Sequence, residues 1–310
     1  MATRYLWMVQ NDIGFRRPPD YDDRFSKRFA PGREAGKDGY VGVQSPLGKR
    51  TGRKNSTLNR ETPSKSEKNW PAKDMETVLI TGANRGIGLA LAEALLREGY
   101  AVIAGCRHPE AATHLQQLAA SRSGLVDVLL LDVNSDELVS AAVEMVRKAR
   151  NRLDVIVNNA GLMPEEGNES IGNLPLAHFR SAFETNVVGC ARVIRAFLPL
   201  LRESHRPRIL NVSSGLGSIT ARDDASYYAY AVSKAALNML TRSIALELIG
   251  EGITTVAISP GWVRTEMGGS GATLSPEESA RSLVQAIQTV DPELSGQFLD
   301  RNGQPGVYVW

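Results

Sequence analysis

The stretch Thr81-Gly82-Ala83-Asn84-Arg85-Gly86-Ile87-Gly88 constrains the fold most, because three glycines in eight residues follow an apolar run and open onto an amphipathic one. That order predicts a strand, a tight turn and a helix start. Glycine serves where the backbone takes positive φ or lets another group approach closely. The first turn of a helix offers unpaired N–H groups to an anion. A phosphate would fit there. The spacing is G-x-x-x-G-x-G, not G-x-G-x-x-G, so alone it reads either as an anion cradle or as a glycine-rich turn without a ligand. The helix that follows turns Leu89, Leu91, Ala92, Leu95 and Leu96 inward at helical spacing.

From Met75 onward short apolar runs alternate with helical stretches. Strands are predicted at 77–81, 101–106, 126–131, 154–158, 207–212, 253–259 and 296–299, and helices at about 86–98, 110–121, 135–150, 176–204, 228–249 and 275–290. Unbroken apolar strands joined by helices suit a parallel sheet covered on both faces. Residues 1–74 lack such periodicity and hold Pro18-Pro19 and a basic, polar tract from Lys49 to Lys73, which reads as disorder. Residues 1–75 carry 16 Lys+Arg against 9 Asp+Glu, a net +7, and the remainder carries −5. Nothing positions the basic charge on a nucleic acid or an anionic membrane, so neither partner is expected. Aspartates at 12, 20, 22 and 23 argue against a transit peptide. Met75 stands directly before the first strand, and a functional start there is the expectation. Two cysteines, Cys106 and Cys190, suit a reducing compartment, and no apolar run reaches the roughly 20 residues of a membrane span, so a cytoplasmic protein is expected.

A doubly wound sheet binds its ligand beyond the carboxyl ends of the strands, so residues just after each strand are the candidate site. After the second strand comes Gly105-Cys106-Arg107-His108. An acid here would bond the ribose 2′-OH of NAD, whereas an arginine would pair with the 2′-phosphate of NADP. The acid is missing, so Arg107 and Arg85 read either as two solvated loop arginines or, as the absent acid favours, as a pointer to NADP(H) over NAD(H). Asp132-Val133, after the third strand, reads as a contact to an adenine amino group or as a cap of the next helix through Asn134 and Ser135. Asn158-Asn159-Ala160-Gly161 suits close passage of a ribose, or a plain turn. Asn186, inside an otherwise apolar helical stretch, implies a packing role or a held water. Asn211-Val212-Ser213-Ser214 is followed by Tyr230-Ala231-Val232-Ser233-Lys234. Tyr230 and Lys234 share a helix face at i and i+4, and a cation near a phenol lowers its pKa from about 10, which would make an acid–base catalyst. Tyr227 and Tyr228 lack a lysine at that spacing. In Pro260-Gly261-Trp262-Val263-Arg264-Thr265, backbone amides and the threonine hydroxyl would hold a carboxamide.

This ordered set, TGANRGIG, Asp132, NNAG, TNVVG, NVSS, YAVSK and PGWVRT, closely resembles the short-chain dehydrogenase/reductase superfamily, over Met75 to Trp310, 236 of 310 residues. Within it, NVVG, YYAYAVSKAALNMLT and PGWVRTEMGG look most like the sniffer, C-factor and small carbonyl-reductase-like members. The resemblance implies a single Rossmann-type α/β domain at 75–310, a doubly wound, mostly parallel seven-stranded sheet with helices on both faces. It implies a catalytic tetrad of Asn186, Ser214, Tyr230 and Lys234, with hydride transfer between a nicotinamide and a carbonyl or alcohol. Tyr230 would be the general acid or base, Lys234 would bond the ribose and lower the Tyr230 pKa, Ser214 would orient the carbonyl, and Asn186 would hold a water. It implies cofactor contacts at Gly82, Asn84, Arg85, Gly86, Ile87, Gly88, Arg107, Asp132, Val133, Asn159, Tyr230, Lys234, Val263 and Thr265, and no metal. The short, glycine-rich segment Glu266 to Ser275 implies a small or open substrate pocket, with Leu162, Met163, Ile219 and Trp262 lining it. A homodimer or homotetramer through the helices at 176–204 and 228–249 is expected. A dinucleotide-binding regulatory protein with little turnover is the alternative function.

Overall fold

A computed structural model of the chain describes residues 75–308. The basic segment 1–74 and the final two residues lie outside the described residues.

Seven strands, β1 (Thr77–Thr81), β2 (Ala101–Cys106), β3 (Val126–Leu130), β4 (Val155–Asn158), β5 (Arg208–Val212), β6 (Thr254–Ile258) and β7 (Phe298–Leu299), form one sheet in the order β3-β2-β1-β4-β5-β6-β7. Every neighbouring pair is parallel, so the expected mostly parallel sheet is wholly so. β1 pairs with β2 on one side and β4 on the other, and the reversal of strand order there opens a crevice beyond the carboxyl ends. The connections run through α1 (Gly86–Arg97), α2 (Thr113–Ser121), α3 (Asp136–Ala149), α4 (Leu176–Phe183), α5 (Gly189–Leu201), α6 (Tyr228–Leu248) and α7 (Pro276–Thr289).

Period-two alternation sorts the strand residues between two helical layers. Val78 and Ile80 pack with Leu91 and Leu95 of α1 and Leu283 and Ile287 of α7. Leu79 packs on the other face with Val139 and Val143 of α3 and Val193 and Phe197 of α5. Burial of each such side chain contributes about 2 kcal/mol. α7 opens on a capping box, in which the Ser275 side chain accepts from the Glu278 N–H and the Glu278 carboxylate accepts from the Ser275 N–H.

Two expectations change in detail. The helix read over 176–204 is interrupted by a wide π turn, Glu184–Val188, in which the Gly189 N–H reaches back five residues to the Glu184 carbonyl. That turn carries Asn186. The last strand is only Phe298–Leu299, because Gly296 takes φ 79° and delays its start. Among the described residues no helix is long and apolar enough to cross a membrane.

Candidate active site

β1 delivers the glycine loop to the crevice, and its glycines are dictated by contact. Gly82 takes φ 66°, and a Cβ there would stand 3.0 Å from the Ala160 backbone. A Cβ on Gly88 would meet the Gly82 carbonyl oxygen at 2.3 Å and the Asn159 amide nitrogen at 2.6 Å. Asn159 in turn donates its side-chain N–H groups to the Thr81 and Gly82 carbonyls at 2.9 and 3.0 Å. Thr81 Oγ1 accepts from the Asn159 and Ala160 amides, both at 3.0 Å. Loop, helix start and NNAG turn are therefore one rigid unit. Gly88→Ala is expected to cost about 1–3 kcal/mol of stability by forcing backbone apart. An unchanged urea midpoint would contradict that close packing.

α1 begins without help. Its N-cap Arg85 makes no side-chain cap bond and its first turn holds no acid, so its leading N–H groups face the crevice uncompensated. Thr265 reaches this loop from beyond β6, its Cγ2 3.1 Å from where a Gly86 Cβ would sit. Arg85 forms an ion pair with Glu266, both side chains being largely exposed. Asn84 and Arg107 are exposed, Ile87 packs half-buried against the core, and Val263 is buried and bridges to Leu274.

Asp132 does not cap α3. Ser135 does so, accepting from the Leu138 N–H at 3.2 Å, while Asp132 accepts from Asn134 N at 2.9 Å in a local turn. Val133 is buried against the start of α5, where a Cβ on Gly189 would lie 2.8 Å from Val133 Cγ2. That contact accounts for the glycine of TNVVG.

The four predicted catalytic residues converge. Asn186 is fully buried. Its amide oxygen accepts from the Leu162 N–H at 2.7 Å, and its NH₂ donates to the Leu162 carbonyl at 2.8 Å and Ser233 Oγ at 2.9 Å. Both amide donors are thus spent on the protein, and the side chain works as a staple between the π turn and the NNAG loop rather than as a donor to water. Lys234, 4% exposed, donates from Nζ to the Val212 carbonyl at 2.8 Å. Its Nζ lies 5.6 Å from the centre of the Tyr230 ring. A Cβ on Gly161 would stand 3.5 Å from Asn186 Oδ1 and 3.7 Å from Lys234 Nζ, so the missing side chain leaves room beside the ammonium.

Tyr230 runs opposite to the sequence expectation. Burial pushes its phenol up to about 12, and a hydrogen bond with Ser214 only partly offsets this. Burial also pulls Lys234 down to about 8. The lysine therefore gives up its proton before the phenol does, and in the ligand-free protein it does not stabilise a phenolate. At neutral pH the pair stands as ammonium and neutral phenol.

Beneath these groups lies a buried polar chain. Asn158 donates to Asn211 and Asn211 to Thr241, both at 2.9 Å, and Ser213 donates to Asn238 at 2.6 Å. These bonds fix the ends of β4 and β5 to α6. Two contributors lay outside the sequence reading. Tyr308, stacked on Phe298 with ring centres 4.9 Å apart, comes within 3.1 Å of where a Gly215 Cβ would sit, next to Ser214. Glu165, a buried acid, accepts backbone N–H groups of α6. No motif spacing marks either residue. Of the expected pocket residues, Leu162 and Met163 stay half-buried beside the site. Ile219 instead lies exposed on the outer side of α6, by Ala235, Met239 and Arg242. Trp262 ties down the segment after it by donating Nε1–H to the Gly268 carbonyl at 2.8 Å.

A sequence model of the short chain dehydrogenase family matches residues 76–273. A short-chain dehydrogenase of Penicillium roqueforti is 39% identical over 248 residues, 75% of this chain and 97% of its own length. The solved carbonyl reductase Sniffer of D. melanogaster is similar with a TM-score of 0.72 and 33% identity, covering 76% of this chain and 100% of that one. An NADPH-bound carbonyl reductase from chicken fatty liver is similar with a TM-score of 0.70 and 32% identity, covering 76% and 99%.

Proposed function

Since the chain belongs to the short-chain dehydrogenase family, we propose that it is an NADP(H)-dependent carbonyl reductase in which Tyr230 is the proton donor. The observation that carries this reading is Tyr230, 8% exposed, its phenol held protonated by burial with a lysine ammonium 5.6 Å from the ring centre. A group that remains a neutral acid at pH 7 suits protonation of a carbonyl oxygen, the reductive direction.

The residues present fit a dinucleotide. The uncapped start of α1 would receive the pyrophosphate, and the space left by Gly161 beside Lys234 would receive the nicotinamide ribose. Asp132 would take the adenine amino group through its second oxygen. Val263 and Thr265 would meet the carboxamide. Arg85 and Arg107 would answer a 2′-phosphate, since β2 ends without an acid. A nicotinamide held there would supply the hydride for a carbonyl carbon. Ser214 and Tyr230 orient the carbonyl through its oxygen, Tyr230 gives that oxygen its proton, and Lys234 holds the ribose. Asn186 keeps Leu162, and with it the wall of the site, in register. NADPH bound in the solved carbonyl reductase from chicken fatty liver supports the cofactor choice.

Glu266 competes with a 2′-phosphate for Arg85. Glu266→Gln is expected to tighten NADPH about two- to fivefold at low salt without changing NADH affinity, the effect fading as salt screens it. Equal gains for both cofactors would remove Arg85 from the phosphate site. An exposed apolar stripe on α6, Val232, Met239 and Leu246 at seven-residue spacing, with Leu176 and Phe183 of α4, supports the homo-oligomer reading. The function is tested by titrating NADPH against NADH and then following NADPH oxidation with a panel of aldehydes, ketones and quinones. Tight NADPH binding with turnover of at least one carbonyl is expected. Binding with no turnover would favour a regulatory role.

A further inference from the structure

We propose that Glu165 is a positioning residue for Tyr230, a clasp supplied from the loop after β4 to the start of the helix that carries the proton donor. The proposal rests on the reading of Tyr230 given above. α6 has no cap of its own. Its N-cap residue, Tyr227, takes a left-handed φ of 51°, makes no side-chain cap bond, and is followed by a first turn without an acid. The orphan amides of that turn are met from elsewhere. One Glu165 oxygen accepts from the Ala229 N–H at 2.5 Å and the other from the Tyr230 N–H at 2.9 Å.

Glu165 is 5% exposed, so its carboxyl group is removed from water. It faces the positive end of the helix, where two charge-assisted bonds and the helix field compensate its burial.

The loop that presents Glu165 is itself locked to the helix. Gly167 takes φ 91°, and a Cβ there would lie 2.3 Å from the Tyr227 ring, so the ring occupies the space of the missing side chain. Glu169 accepts from the Glu166 and Gly167 amides, both at 2.9 Å. Three residues before Glu165, Leu162 is held at both its N–H and its carbonyl by Asn186. The segment 162–165 therefore joins two members of the tetrad, with Asn186 gripping one end and the backbone of Tyr230 gripped at the other. Loss of the second grip would loosen the first turn of α6 and carry the phenol away from Ser214, while the dinucleotide cradle on β1 and α1 would be untouched.

The test uses the full chain with Glu165→Ala and Glu165→Gln, the second keeping the shape and one acceptor. Asp291→Ala, which removes the cap of the short turn Pro292–Leu294 before β7, is the control for lost stability alone. Amide hydrogen exchange of the ligand-free proteins reads the clasp. NADPH affinity and steady-state reduction of a carbonyl that the wild type turns over read its consequence. With Glu165→Ala, exchange at Ala229 and Tyr230 should quicken about tenfold or more, with the later turns of α6 unchanged. kcat should fall about tenfold or more, with NADPH affinity held within about twofold. Glu165→Gln should fall between, and Asp291→Ala should lose stability with kcat intact. Unchanged exchange at the two amides, or quickened exchange with unchanged kcat, would overturn the proposal. If the wild type reduces no carbonyl, the reading of the site fails separately, and the clasp is decided by exchange.

Discussion

Tyr230→Phe is expected to lower kcat for NADPH-linked carbonyl reduction by about a hundred- to ten-thousandfold, the range a positioned proton donor supplies. The ring is buried among α6 and the Ser214 loop, and phenylalanine keeps that packing while removing only the hydroxyl. NADPH affinity should stay near wild type, since the glycine loop, Arg85 and Lys234 are retained. Fluorescence titration and steady-state rates separate the two effects. Full activity in the variant would refute the assignment, and loss of binding with activity would mean that the substitution disturbs the fold.

Lys234→Met is expected to abolish turnover to a similar degree, weaken NADPH, and make the ligand-free protein more stable at neutral pH. Burial lowers the Lys234 pKa to about 8, below the roughly 10.4 of an unfolded lysine. The unfolded chain therefore holds this proton more tightly than the folded one. The resulting destabilisation is fully present below pH 8, shrinks as pH rises from about 8 to 10.4, and is absent above. One hydrogen bond, to the Val212 carbonyl, is lost in the variant, and relief of the buried charge outweighs it. Denaturant midpoints should thus favour the methionine variant at pH 7 and converge on wild type near pH 10. A gap that widens with pH would contradict the argument. That cost of burial is consistent with the proposed ribose-binding role of Lys234.

The sheet and the glycine loop were legible because their residues answer local demands. Alternating strand and helix signals show in short windows, and Gly82, Gly86 and Gly88 stand where a Cβ would strike backbone or the Thr265 side chain. Asn186 was legible as an anomaly, a polar group in an apolar helix, but the π turn around it was not, because its cause is a staple to Leu162, 24 residues earlier. The sign of the Tyr230 shift was missed for a related reason. Spacing reveals the lysine at i+4, whereas burial depends on packing from distant segments. Glu165 lies 65 residues before the amide of Tyr230 that it holds, and Tyr308 is 93 residues after Gly215, so neither belongs to a window that a motif covers. The pairing of Arg85 with Glu266 was invisible in the same way.

The most direct test of the central claim is isotope transfer from NADPH carrying deuterium at the nicotinamide C4, prepared in each of its two configurations, to the carbonyl panel, with products read by mass spectrometry. One configuration should deliver deuterium to the carbinol carbon of a product alcohol with wild type, and Tyr230→Phe should deliver almost none in the same time. NADPH that binds tightly but leaves no deuterium in any product would contradict the assignment of this chain as a carbonyl reductase.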